Sequence, residues 1–320
     1  MRPRLVRSEL LSSVAEAVGQ TPLVRLAKAA REAPSVEVYA KLEFANPGGS
    51  VKDRAALRMM TRALEDGRLT PDKILIDSTS GNTGVAYSLF GAALGVRVAL
   101  VMPSNVSKAR KDIARAFGTE IIFSDPMEGS DGAIRKCRAL VDAEPDKYFY
   151  PDQYSNPDNP LAHYHGTAVE LLDQVGDRLT HFVAGIGTSG TIVGTSRRLR
   201  EHTRRDGSKI RCVAVEPADA MHGLEGLKHL PSSLVPAIHD ASAYDETMRV
   251  TTEEGWDMSD RLAREEAMHV GHSAGANVFA AIEIAKRLHR EQGGGCVVAI
   301  VPDRGDRYFA PMKWEKRYLW

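Results

Sequence analysis

Cysteine is scarce in this 320-residue chain: there are 3, Cys137, Cys212 and Cys296, with no C-x-x-C pair among them. Wide, odd spacing argues against a disulfide framework or a zinc site and suits a reducing cytosol. An excess of one charge is also missing, because 42 basic residues face 42 acidic ones. No net field therefore recruits nucleic acid or an anionic membrane. No segment approaches the roughly eighteen apolar residues of a membrane span. The N-terminus carries Arg2, Arg4 and Arg7 but no apolar stretch of the signal-peptide kind. What is present is ordinary for a globular protein: 43% hydrophobic and 26% charged residues, in a chain long enough for two domains.

Strand and helix signals alternate after a turn and short extended segment at Gly19-Gln20-Thr21-Pro22-Leu23-Val24-Arg25-Leu26. Strands are expected at 36–43, 73–77, 97–102 and 120–123, with helices at 51–66, 83–94, 107–117 and 129–143. Residues 152–160 are dense in turn formers and mark a crossing between domains. A second series follows: helix 162–174, strand 181–185, helix 191–205, strand 210–215, a long irregular loop over 218–243, helices 252–266 and 274–290, and a last strand at 296–302. Strands alternating with helices of this length predict parallel sheets covered by helices, an α/β architecture. The loop at 218–243 is long enough to be a lid or binding segment.

Four loops at strand-to-helix junctions could carry chemistry. Asn46-Pro47-Gly48-Gly49-Ser50-Val51-Lys52 breaks the chain and opens a helix with Lys52 in its first turn. Free N–H groups and the helix dipole there lower an amine's pKa, which suits a lysine that must attack a carbonyl. A solvated first-turn lysine would have the same local sequence. Ser78-Thr79-Ser80-Gly81-Asn82-Thr83-Gly84 gathers hydroxyls and an amide at a helix start, suited to a carboxylate or simply to a capped turn. Gly185-Ile186-Gly187-Thr188-Ser189-Gly190-Thr191 lets backbone approach an anion; it is not a Walker A loop, and no acidic residue stands where a NAD ribose would need one. Gly271-His272-Ser273-Ala274-Gly275 opens another helix; a histidine there is more often structural, and His272 takes no part in the mechanism below.

Together these motifs resemble the cysteine synthase family, pyridoxal-phosphate enzymes of fold type II that include cystathionine β-synthase. The resemblance rests on Lys-Leu-Glu-x-x-Asn-Pro-x-Gly-Ser-x-Lys-Asp-Arg over 41–54, Thr-Ser-Gly-Asn-Thr-Gly over 79–84 and the Gly-Thr-Ser-Gly-Thr loop. It extends from Gly19 to Tyr308.

It implies two open, twisted, mostly parallel sheets covered by helices, as in the tryptophan synthase β fold. Residues 1–45 with 153–320 would form the large cofactor-binding domain and 46–152 a smaller mobile one. Pyridoxal 5'-phosphate would be held through Lys52 as the Schiff-base lysine, Asn82 at the ring hydroxyl, Gly187, Thr188, Ser189, Gly190 and Thr191 around the phosphate, and Ser273 at the pyridine nitrogen. Thr79, Ser80, Gly81, Thr83 and Gln153 would bind the substrate. A neutral serine at the ring nitrogen disfavours long-lived carbanions and suits rapid loss of a β-leaving group. The implied reaction is β-replacement on an O-activated L-serine through an aminoacrylate, with Lys52 as general base, giving L-cysteine.

His272 and Ala274, the loop from Met221 to Leu230, and the tail Phe309-Ala310-Pro311-Met312 depart from the family pattern. They leave open the leaving group, acetate or phosphate. Lys228, ahead of Val235-Pro236, matches a basic residue of the O-phosphoserine-using branch, or is a solvated loop lysine. The expected partners are a small amino acid and a sulfur donor (sulfide, thiosulfate or a sulfur-carrier protein), in a cytoplasmic homodimer without nucleic acid, membrane or metal. The alternatives are the same chemistry with another nucleophile, giving cystathionine or a diaminopropionate precursor, and a non-catalytic binding protein of this fold.

Overall fold

The computed structural model describes residues 10–291 and 293–308; the N-terminal arginines and the tail at 309–312 lie outside them. In chain order the elements are β1 (Leu23–Arg25), β2 (Val36–Leu42), α1 (Lys52–Glu65), β3 (Ile74–Ser78), α2 (Asn82–Leu94), β4 (Val98–Pro103), α3 (Lys108–Ala116), β5 (Glu120–Ser124), α4 (Gly129–Ala143) and β6 (Tyr148–Phe149). They continue with α5 (Asp158–Ala162), α6 (Ala168–Gln174), β7 (His181–Gly185), α7 (Gly190–Glu201), β8 (Arg211–Pro217), β9 (Glu246–Val250), α8 (Thr252–Glu266), α9 (His272–Glu291) and β10 (Gly295–Val301). Contacts divide the chain into two compact units. One holds Asn46–Gly48, Met60–Pro151 and the described part of Met1–Gly19; the other holds Gln20–Ala45, Gly49–Met59 and the described part of Asp152–Trp320.

The second unit is built on a six-stranded sheet of order β1-β2-β10-β7-β8-β9. Only the β1–β2 pair is antiparallel. Alternate residues of one strand feed two separate cores. Val297, Ala299 and Val301 pack with Val183, Val213 and the α9 residues Val278, Ile282 and Ala285. Cys296, Val298 and Ile300 point the other way, toward Phe182, Ala184, Leu171 of α6 and Ile192 of α7. A strand buried on both faces needs an unbroken apolar run, and Cys-Val-Val-Ala-Ile-Val in β10 is one. At the far edge, α8 starts with a capping box in which Thr251 and Glu254 satisfy each other's backbone N–H groups.

The first unit carries a parallel four-stranded sheet of order β5-β4-β3-β6. Ile76, Ala99 and Val101 of this sheet pack on Ala133 and Cys137 of α4. The expected α/β class with mostly parallel sheets is the one observed. Three local features differ from the sequence reading. The expected helix at 162–174 is broken by one π-helical stretch, His163–Thr167. The helix expected to reach 205 stops at Glu201, because residues 204–208 form a tight turn closed by Arg204 N–H to the Ser208 carbonyl, with Gly207 at φ 80°. β6 and β9 were not expected; the first is only two residues long, and the second alternates polar residues along an edge. All three cysteines are buried, and none of them forms a disulfide. Among the described residues no helix is long and apolar enough to cross a membrane.

Candidate active site

Ser50 and Lys52 sit where β2 gives way to α1. Ser50 pairs with Asp303 across an isolated antiparallel bridge, and Val51 N–H donates to the Pro302 carbonyl at 2.8 Å. The start of α1 is thus pinned to the segment after β10. Lys52 N–H donates to Ser50 Oγ at 3.2 Å, so this serine caps the helix start. The Lys52 amine is held below the usual lysine range by desolvation, which the nearby Asp303 carboxylate partly opposes. A lowered pKa increases the fraction of free amine available for attack at neutral pH. Asp303 is itself buried and accepts a hydrogen bond from the Tyr308 hydroxyl.

Three other charges of the same motif do a different job. Lys41 Nζ donates to Glu170 at 2.7 Å, to the Thr21 carbonyl at 2.9 Å and to Gln174 at 2.9 Å. Arg54 donates to both oxygens of Glu43, at 2.6 and 2.9 Å, and to both oxygens of Glu170. Thr21 Oγ1–H also donates to Glu43, at 2.8 Å. Two cations and two carboxylates therefore cancel inside the protein. Burial alone would raise the Glu170 pKa, but Arg54 and then Lys41 bring it down to about 2. The network fixes α1 two residues after Lys52. Glu170 and Gln174 were missed by sequence reasoning: one side of a helix read as ordinary amphipathic surface gives no local signal of distant partners.

The loop from Gly187 to Thr191 joins β7 to α7. Among the described residues the amides of Gly187, Thr188, Ser189 and Thr191 have no hydrogen-bond partner. They cluster at the positive end of a 12-residue helix, an arrangement that binds anions. A Cβ on Gly187 would lie 2.4 Å from the Gly226 carbonyl, and one on Gly190 would lie 1.9 Å from Asn159 Oδ1, so both positions require glycine. Asn159 Nδ2 donates to Thr188 Oγ1 at 3.0 Å and to the Gln153 carbonyl at 2.7 Å. This buried asparagine was read only as part of a turn-rich crossing; its place between Pro157 and Pro160 was the available signal. His163, also missed, lies 3.3 Å from Thr191 Oγ1 and 3.0 Å from Thr167 Oγ1. Burial and the Arg54 charge push its imidazole down to about 3, so it is neutral at working pH.

The loop after β8 packs against this cradle. Lys228 N–H donates to the Ile186 carbonyl at 2.7 Å, while its amine lies 5.1 Å from the Tyr154 ring centroid. Ser273, in the first turn of α9, is buried, and its hydroxyl faces Gly226. Gln153 is buried beside Asp152, which has φ 43°. Lys52, Gln153, Gly187, Thr188, Ser189, Gly190, Thr191, Lys228 and Ser273 thus belong to one unit. Thr79, Ser80, Gly81, Asn82 and Thr83 belong to the other. There Gly81 is the N-cap of α2, its N–H donating to Thr79 Oγ1 at 3.3 Å; Asn82 is the first helical residue, and Thr83 is buried.

The pyridoxal-phosphate dependent enzyme family model matches residues 14–303. A cysteine synthase of Aquifex aeolicus is 48% identical over 298 residues, covering 92% of this chain and 90% of that protein. The crystal structure of cysteine synthase from Entamoeba histolytica superposes with a TM-score of 0.91 at 33% identity, covering 98% of this chain and 94% of that one. The O-acetylserine dependent cystathionine β-synthase from Helicobacter pylori gives 0.83 at 35% identity, with coverages of 94% and 98%. The chain belongs to the pyridoxal-phosphate dependent enzymes of fold type II, in the cysteine synthase family.

Proposed function

We propose that this protein makes L-cysteine by β-replacement on an O-activated L-serine, with Lys52 as the lysine that holds pyridoxal phosphate. The observation that carries this reading is the pairing, within one unit, of an amine with a lowered pKa and an amide-lined anion cradle. The residues present fit the group. Unpartnered amides at the start of α7 suit a phosphate ester, and the Gly187 and Gly190 positions leave no room for side chains. When bound, pyridoxal phosphate supplies the electron sink that lets an α-proton and a β-substituent leave.

The remaining roles belong to the chain. Gly187 to Thr191 hold the phosphate. Ser273 offers the ring nitrogen a neutral hydroxyl, which suits elimination over carbanion chemistry. Asn82 would bond the ring hydroxyl, and Thr79, Ser80, Gly81, Thr83 and Gln153 would bind the substrate. The free Lys52 amine would take the α-proton at Nζ. Lys228 reads the leaving group. The sulfur donor is sulfide, thiosulfate or a sulfur-carrier protein, and the assembly is a cytoplasmic homodimer.

The test is chemical trapping. The purified protein should be yellow, and borohydride reduction followed by peptide mapping should place the adduct on Lys52. An adduct on Lys41 or Lys228, or turnover by Lys52→Ala, would sink the assignment. A panel of nucleophiles including sulfide and homocysteine then separates cysteine from cystathionine formation.

A further inference from the structure

Ser189 is one of four non-glycine residues among those described with positive φ, at 74°, and it stands at the head of α7 in the middle of the cradle. A side chain in the left-handed region is strained and persists only where neighbours hold it. The neighbour here comes from the long loop after β8. His239 Nδ1 lies 2.9 Å from Ser189 Oγ, and the Tyr244 hydroxyl lies 3.4 Å from His239 Nε2. The His239 segment is anchored independently: its own N–H donates to the Pro236 carbonyl, and Arg197 on α7 pairs with Asp240 at 2.8 Å.

We infer that His239 is a positioning residue for the phosphate cradle: its Nδ1–H donates to Ser189 Oγ, holds Ser189 left-handed and frees the Ser189 hydroxyl proton for a phosphate oxygen. This role needs the tautomer with its proton on Nδ1, which leaves Nε2 to accept from the Tyr244 hydroxyl. Burial keeps the ring below the usual imidazole value against the pull of Asp240 and Glu216, so a neutral ring is available for this role. A histidine in an otherwise irregular loop thereby becomes part of how this chain grips its cofactor. The inference rests on the reading of residues 187–191 as the phosphate site.

The experiment uses full-length protein stripped of cofactor with hydroxylamine, titrated by fluorescence with pyridoxal phosphate and, separately, with pyridoxal. Four proteins form a double-mutant cycle: wild type, His239→Phe, Ser189→Gly and the pair. His239→Phe should weaken pyridoxal phosphate about tenfold, as expected for one partly buried hydrogen bond, and leave pyridoxal unchanged. In the Ser189→Gly background, where glycine takes the left-handed conformation freely, the same change should have no effect. His239→Asn, which keeps an N–H donor, should stay within about threefold of wild type, and the 31P resonance of bound cofactor should move in His239→Phe only. Equal losses in both backgrounds, or equal losses for pyridoxal, would show that His239 acts by packing the loop and overturn the inference. Wild type that fails to bind pyridoxal phosphate would instead overturn the reading beneath it.

Discussion

Arg54 grips Glu170 with two parallel hydrogen bonds, Nη1 to Oε1 at 2.7 Å and Nη2 to Oε2 at 2.8 Å, across 116 positions of sequence. The Arg54 side chain is 4% exposed and that of Glu170 16%. Removing one partner of such a pair leaves a buried charge uncompensated, which costs more than the intact pair contributes.

Glu170→Ala should therefore lower unfolding free energy by about 3–5 kcal/mol, measured by urea titration. The pH dependence has a definite sign. The folded-state pKa is depressed from 4.5 to about 2, so Glu170 stabilises above the unfolded value and that contribution is lost as pH falls through about 2. Wild type should lose stability across this window, and Glu170→Gln should flatten the slope. An unchanged slope would mean that the network is not what acid breaks.

Asp303 holds the Lys52 amine up against desolvation. Asp303→Asn should move the midpoint of Lys52 acylation, followed by mass spectrometry against pH in cofactor-free protein, to lower pH. Movement upward would contradict the electrostatic account.

Gly187→Ala would bring a methyl to 2.4 Å from the Gly226 carbonyl. Backbone cannot yield as a flexible side chain can, so the loops must part, at about 1–3 kcal/mol. The expected result is a lower Tm together with pyridoxal phosphate affinity reduced at least about tenfold. Normal affinity in a stable variant would refute the close-packed cradle.

Lys228 has its backbone tied to Ile186 and its amine over Tyr154. A phosphate ester carries nearly two negative charges at neutral pH and an acetyl ester none. One charge-assisted contact is worth roughly 1.5–3 kcal/mol. O-phosphoserine should thus be the better substrate, and Lys228→Ala should lower its kcat/KM at least about tenfold while sparing O-acetylserine. A wild-type preference for O-acetylserine, or equal losses for both, would remove Lys228 from substrate recognition.

Alternating hydrophobic runs made most strands and helices legible in advance, because each is a local pattern. The motif from Lys41 to Arg54 was equally legible as a motif, yet its charges split into two roles that no spacing distinguishes. Lys52 faces a reacting group in the reading above, whereas Lys41, Glu43 and Arg54 neutralise one another around Glu170. That division depends on partners brought in by the fold. The left-handed Ser189 and the His239 that meets it were invisible for the same reason, being 50 positions apart. β9 escaped because an edge strand needs little apolar character, and the π-helical turn at His163 because its sequence is compatible with an ordinary helix.

The placement of β10 between β2 and β7 has a consequence for biosynthesis. All strands of the four-stranded sheet lie between Ile74 and Phe149, so that sheet can pair while the ribosome is still translating. The six-stranded sheet cannot. Until residues 295–301 emerge, β1–β2 and β7–β8–β9 are separate ribbons, each with an open apolar edge. Everything up to β10 must be made before the gap is filled. Asp303 follows only two residues behind β10, so the carboxylate that faces Lys52 arrives with the final stitch. A nascent chain stalled before that point would be a target for chaperones, with the Lys52 segment still unanchored.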